Sequence, residues 1–208
     1  AWTSISWASI DYYGNKKAFH YKLSEMYAPI LLGLDDAGND NYKLWICNDK
    51  QRDIDGRIRI VVEDMRGNQM FAFSEVVDVK ANSCYRFPKE IAINMTEKMK
   101  SDCYARIIFM EDDTVLSEKI HIFKYPKDMN FIETQLEPKV TFVDGKYTLE
   151  FNSKVFVKDV FVSTTEPGEF SANFFDVLPN VTKTIIFEPD EEDKKKRDLE
   201  FEVKIYNR

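Results

Sequence analysis

Two histidines, three cysteines and 36 carboxylates are the side chains from which this sequence would have to build chemistry. His20 and His121 each stand without a cysteine or second histidine nearby in sequence, so spacing gives a histidine metal site no support. Cys47, Cys84 and Cys103 are widely spaced and form no C-x-x-C pair, which argues against zinc. They read as three semi-buried thiols acting as small hydrophobes. The alternative is a Cys84–Cys103 bridge, which would need an oxidising compartment. None lies in a glycine-rich elbow or at a helix start, where a thiolate would be stabilised. G-x-S-x-G, G-x-G-x-x-G and the phosphate-binding G-x-x-x-x-G-K are all missing. A glycosidase-like carboxylate pair is conceivable on number alone. Most Asp and Glu, however, fall in turns or on the polar side of alternating strands, where a solvated carboxylate is ordinary. The run Asp35 to Asn41 offers oxygen ligands for calcium but lacks the D-x-[DN]-x-[DN]-G order. No catalytic residue, metal ligand or cofactor is therefore assigned.

The aromatic cluster Trp2, Trp7, Tyr12 and Tyr13 is the remaining candidate. Flat aromatic faces stack on sugars, so the cluster could line a carbohydrate site. The other reading is packing against a neighbouring domain, and the segment's direct run into an amphipathic helix favours it.

The elements that would position these residues follow from periodicity. Phe19, Leu23, Met26 and Tyr27 recur at i, i+4, i+7 and i+8, one face of a helix. Asn15 supplies an N-cap and Pro29 an end, giving a helix of about four turns. Beyond Pro29 no second helical pattern is seen. Asp35 to Asn41 reads as a turn, and short alternating segments follow: Tyr42 to Cys47, Arg57 to Val62, Met70 to Val79, Glu90 to Asn94, Tyr104 to Met110 and Val115 to Phe123. Pro126 marks a boundary by holding Tyr125 extended. The pattern then restarts with Val140 and Phe142, the hairpin signal Asp144-Gly145, Tyr147 to Phe151, Val155 to Thr164, Thr182 to Phe187 and Leu199 to Ile205. Aromatics at 14% of 208 residues support strands over helices. The expected fold is all-β: two immunoglobulin-like β-sandwich domains preceded by one short α-helix, with boundaries 1–30, 31–125 and 126–208. A net charge of −7 disfavours nucleic acid and anionic membrane as partners. No run reaches the roughly 18 apolar residues of a membrane span. The charged run Asp190 to Arg197 reads as a solvated hairpin loop whose opposed charges cancel.

Two stretches carry a family resemblance. Trp2-Thr3-Ser4-Ile5-Ser6-Trp7-Ala8-Ser9-Ile10-Asp11-Tyr12-Tyr13-Gly14, with Lys17-Ala18 and His20-Tyr21, resembles the last barrel strand and following helix of β-mannosidases of glycoside hydrolase family 2. Ala28-Pro29-Ile30-Leu31 resembles the exit from that helix. Phe170-Ser171-Ala172-Asn173-Phe174-Phe175-Asp176-Val177-Leu178-Pro179 resembles the tail pattern in the last immunoglobulin-like domain of the same enzymes. Asn15-Lys16-Lys17 departs from the Arg-Trp that the family often has before the helix lysine.

The resemblance implies a non-catalytic C-terminal region: residues 1–30 as the remnant of the catalytic barrel, then two accessory sandwiches. The parent's reaction would be retaining hydrolysis of a terminal β-mannoside through two glutamates. No glutamate here matches either glutamate motif, so this chain itself is expected to be no enzyme. Trp2, and with it Trp7, would border the sugar site of the intact enzyme. The implied partner is the barrel of the same parent chain; a homodimer through the exposed helix face is the other candidate, since Phe19, Leu23 and Tyr27 need a cover such as the first sandwich or another copy. The start at Ala1 is read as an excision point. The compartment stays open: periplasmic or extracellular if bacterial, lysosomal if animal. A carbohydrate-binding module, which would show a planar row of exposed aromatics, and an adhesive surface protein of self-similar domains are the alternative readings.

Overall fold

The computed structural model describes residues 8–190 and 198–207. Trp2, Trp7 and nearly all of the charged run ending at Arg197 lie outside the described residues. The chain forms two compact units, residues 26–130 and residues 1–25 together with 131–208.

The unit of residues 26–130 pairs two antiparallel sheets. The first holds β1 (Ile30–Gly38), β2 (Asn41–Asn48), β5 (Ser83–Arg86) and β6 (Ile91–Ala92), in the order β1-β2-β5 with β6 also on β2. The second runs β4-β3-β7-β8: Gln69–Val79, Ile54–Asp64, Cys103–Glu111 and Thr114–Ile122. Alternation sends Leu32, Leu44, Ile46, Ile58, Ile60, Ile107 and Phe109 into one core. Asp35 and Asp36 are strand residues of β1, so the acidic run is no seven-residue loop. Asn39 and Asp40, at φ 52° and 59°, make the two-residue connection. The run's oxygens are spread along a strand and a tight turn, and no group of three or more metal-ligating side chains occurs among the described residues. Sequence periodicity also misses a helix, α2 (Glu97–Asp102), whose six residues are too few to show a face; Thr96 caps it by accepting the Met99 N–H at 3.2 Å.

Asn48 is fully buried and replaces missing strand partners. Its amide donates to the carbonyls of Arg52, Val79 and Lys80, and its Oδ1 accepts the Lys50 N–H. The cysteines depart from both sequence readings. Cys47 and Cys84 are register partners on β2 and β5 and are bonded, while Cys103 is the buried free thiol. A Cys84–Cys103 bridge fails because alternation turns Cys103 into the core and Cys84 outward.

His121 on β8 sits edge-on to Tyr42 and Phe123, with ring centroids 6.1 and 5.1 Å away. Burial, then the Lys119 charge, push its pKa down against the pull of Asp36 and Asp35. The folded state thus holds fewer protons than the unfolded chain below the ordinary histidine value of about 6.5. The stability this residue supports is present above that pH and declines as pH falls through the lowered folded value. Urea unfolding followed from pH 7 to 5 should show the decline in this unit, and His121→Gln should flatten it. An unchanged slope in the variant would assign the effect elsewhere.

The other unit packs the sheet β12-β14-β10-β9 (Gly168–Phe170, Lys183–Pro189, Lys146–Phe151 and Lys139–Val143) against β13-β11-β15 (Phe175–Val177, Val157–Ser163 and Glu202–Lys204). The Asp144-Gly145 hairpin forms as expected, with φ of 50° and 77°. Leu149, Phe151, Val157, Val160, Val177, Ile185 and Phe187 make its core.

Candidate functional site

The lead-in is built around one carboxylate. Asp11 is buried, and its Oδ1 accepts the N–H groups of Tyr13 and Asn15, both at 2.9 Å, while Oδ2 accepts from the Asn15 amide at 3.0 Å. The Asn15 side-chain bond heads the causes that hold the Asp11 pKa below its ordinary value. Gly14 at φ 89° closes this turn. Asp-Tyr-Tyr-Gly is therefore a turn motif. It leaves Tyr12 and Tyr13 81% and 84% exposed.

The helix that follows, α1, covers Ala18–Met26, shorter than the four turns expected. Of the face that the apolar spacing indicates, only Leu23 is half-buried. Phe19 and Met26 are exposed, as is Tyr27 just beyond the helix. Tyr21 turns in instead, with its ring 6.1 Å from that of Phe174, and Phe174 lies 4.9 Å from Phe161. Lys16 pairs with Glu169 at 3.0 Å. The expected docking of the helix on the first sandwich is thus corrected: residues 1–25 belong with the C-terminal sandwich. A cleft of about 280 Å³ lies among Lys16, Tyr21, Phe161, Thr164, Glu169 and Asn173.

The two motifs singled out at opposite ends of the sequence therefore meet in one unit. Within the tail motif, Ser171 exchanges backbone and side-chain hydrogen bonds with Ile186. Asn173, 5% exposed, accepts the Val162 N–H at 2.9 Å and donates to the Val162 carbonyl at 2.8 Å, acting as a one-residue strand. Phe174 has φ 53°, and Phe175 and Val177 drop into the core. Between Val157 and Val160, β11 slips register against β13. Asp176 catches the irregularity, accepting Lys158 Nζ and the Asp159 N–H, both at 3.0 Å. The motif is a structural clamp. Asn173→Ala would strand both buried backbone groups of Val162 and cost about 2 kcal/mol. Urea titration checks this, and a loss under 0.5 kcal/mol would refute the clamp (about the size of an ordinary surface substitution).

Cys103 is a poor nucleophile: burial, then the charges of Asp64 and Asp102, push its thiol up to about 11. The exposed large aromatics of the described residues are Tyr12, Tyr13, Phe19, Tyr27, Tyr125 and Tyr206, which do not form a row along a sandwich strand. One indole, Trp45, lies on the outer face of β1-β2-β5. Its N–H donates to Asp35 at 3.1 Å, and it pairs with Gly33 and Arg86 on the neighbouring strands. Single-sequence reading missed it because only strand pairing brings those four residues together.

Comparison with known proteins agrees with this geometry. Residues 40–128 match the family model of the mannosidase Ig/CBM-like domain, and residues 131–207 match the mannosidase-type Ig-fold domain. Beta-mannosidase B of Aspergillus niger is 21% identical over 202 residues, covering 88% of this chain and 24% of that enzyme. The β-D-mannosidase of Dictyoglomus thermophilum has a similar fold, with TM-score 0.78 and 18% identity over 97% of this chain and 24% of that one. The exo-chitosanase CsxA of Amycolatopsis orientalis gives TM-score 0.69 and 13% identity over 99% and 29%. The chain thus spans about a quarter of the length of such relatives, which are glycoside hydrolases. Both sandwiches being matched in order, the chain belongs to the immunoglobulin-like accessory region of the glycoside hydrolase family 2 β-mannosidases.

Proposed function

We infer that this chain serves a parent hydrolase of terminal β-mannosides by bracing its catalytic barrel, and that it has no hydrolytic activity of its own. The observation that carries the reading is the lead-in surface. Tyr12, Tyr13 and Phe19 are between 51% and 84% exposed within eight residues of one unit, an apolar density that isolated surfaces seldom keep uncovered. A barrel supplied by the remaining length of a family-sized enzyme is the occupant that fits. Trp2 and Trp7 would then stand near the barrel mouth and border the sugar site. The Cys47–Cys84 bond favours an oxidising compartment for the parent.

Assay of the purified chain on an aryl β-mannoside should show no turnover, while the parent enzyme turns the substrate over. Activity in the chain alone would overturn the reading. Tyr13→Ser with Phe19→Ser should change the stability of the chain alone by less than about 0.5 kcal/mol. The same pair in the parent should lower its thermal midpoint by several degrees (roughly 1 kcal/mol or more). Equal effects in both settings would mean that no barrel covers these side chains. Size-exclusion chromatography of the chain distinguishes the competing occupant, a second copy, which would elute as a dimer that the double variant dissolves.

A further inference from the structure

Trp45 occupies a position that bracing a barrel does not explain. Gly33, its register partner, is buried beneath it: a Cβ on Gly33 would fall 2.0 Å from the indole Cε2 and Cζ2. The ring therefore lies flat over the glycine, along the outer face of the sheet. The Asp35 carboxylate takes the indole N–H and sets the ring's rotation. Lys119 Nζ stands 5.9 Å from the ring centroid. Beside the ring opens a recess of about 360 Å³, lined by Lys43, Arg86, Phe87, Pro88 and Glu90 together with Trp45. Lys43 and Glu90 meet across it at 3.6 Å and keep 62% and 47% of their side-chain surface in solvent. Arg86 is exposed.

Covering a glycine explains the Gly33–Trp45 contact. It does not explain an open recess rimmed by three cations, Lys43, Arg86 and Lys89, and a carboxylate at the edge of a ring already fixed in orientation. A pyranose has the complementary surface, with a face of C–H bonds for the indole and equatorial hydroxyls for charged partners. Arg86 and Lys43 would donate to ring oxygens and hydroxyls, and Glu90 would accept from a hydroxyl. We propose that Trp45, with Arg86, Lys43 and Glu90, forms a binding site for one pyranose unit of a β-linked mannooligosaccharide. The choice of mannose rests on the reading of the parent given above; the stacking site rests on the geometry alone.

The test is a titration of the purified chain with β-1,4-mannohexaose, followed by the indole N–H resonance of Trp45 and assigned with Trp45→Phe. Saturable shifts with a dissociation constant of about 1 mM are expected, the weak binding that one stacked ring sustains. Trp45→Ala should abolish binding. Arg86→Ala, which removes no buried group, should weaken it roughly fivefold with an unchanged thermal midpoint, so the test survives if Trp45→Ala fails to fold. No shift of Trp45, or full binding by a folded Trp45→Ala, overturns the site and leaves the indole as a glycine cover. Binding of cellohexaose without mannohexaose overturns the mannose assignment. Neither result touches the parent reading, which is decided by aryl β-mannoside turnover.

Discussion

Replacing both Cys47 and Cys84 with alanine will lower the stability of the unit of residues 26–130 by about 4 kcal/mol, the chain entropy that a cross-link of this span removes from the unfolded state. The bond joins residues 37 apart and encloses β3 and β4, so it constrains much of the unit's folding topology. In a domain of this size the loss corresponds to a fall of roughly 20 °C in the thermal midpoint. Reductant should reproduce the shift in the unsubstituted chain and do nothing further to the double variant. Thiol titration in denaturant without reductant should count one cysteine, Cys103. Three titrating thiols, or a midpoint insensitive to reductant, would refute the bond. Cys84 is exposed and β5 is an edge strand, so reduction should act without prior global unfolding.

Lys158→Met is expected to destabilise the C-terminal sandwich by about 3 kcal/mol, because it leaves a carboxylate inside without its cation. The Lys158 and Asp176 side chains keep only 12% and 15% of their surface in solvent. Burial works to lower the Lys158 pKa, yet the charge of Asp176 and the bonds to Asp159 and Asp176 raise it overall, so the ammonium form is the one built in. Adding Asp176→Asn to the variant should recover part of the loss. A double variant as damaged as the sum of the two singles would show that the pair does not couple.

Much of this architecture was legible in the chain itself. Alternation such as Tyr147-Leu149-Phe151 marks which side chains enter the core whatever lies opposite, because a strand's two faces are set by backbone geometry. Asp144-Gly145 specifies its turn locally, since both positions need positive φ. Local signals were weakest where polar residues sit inside a strand. β1 escaped detection because Asp35 and Asp36 look like a loop until β2 pairs with them. Of the helical repeat Phe19, Leu23, Met26 and Tyr27 only Leu23 is half-buried, whereas Tyr21 is the side chain that finds Phe174.

The absence of catalytic spacing and the family resemblance of both chain ends were properties of the sequence alone. Which cysteines join, what Asn173 and Asp176 hold together, and that an indole lies over Gly33 were decided by tertiary structure. Each depends on residues brought side by side by strand register, and register is fixed only when both sheets bury their apolar faces together.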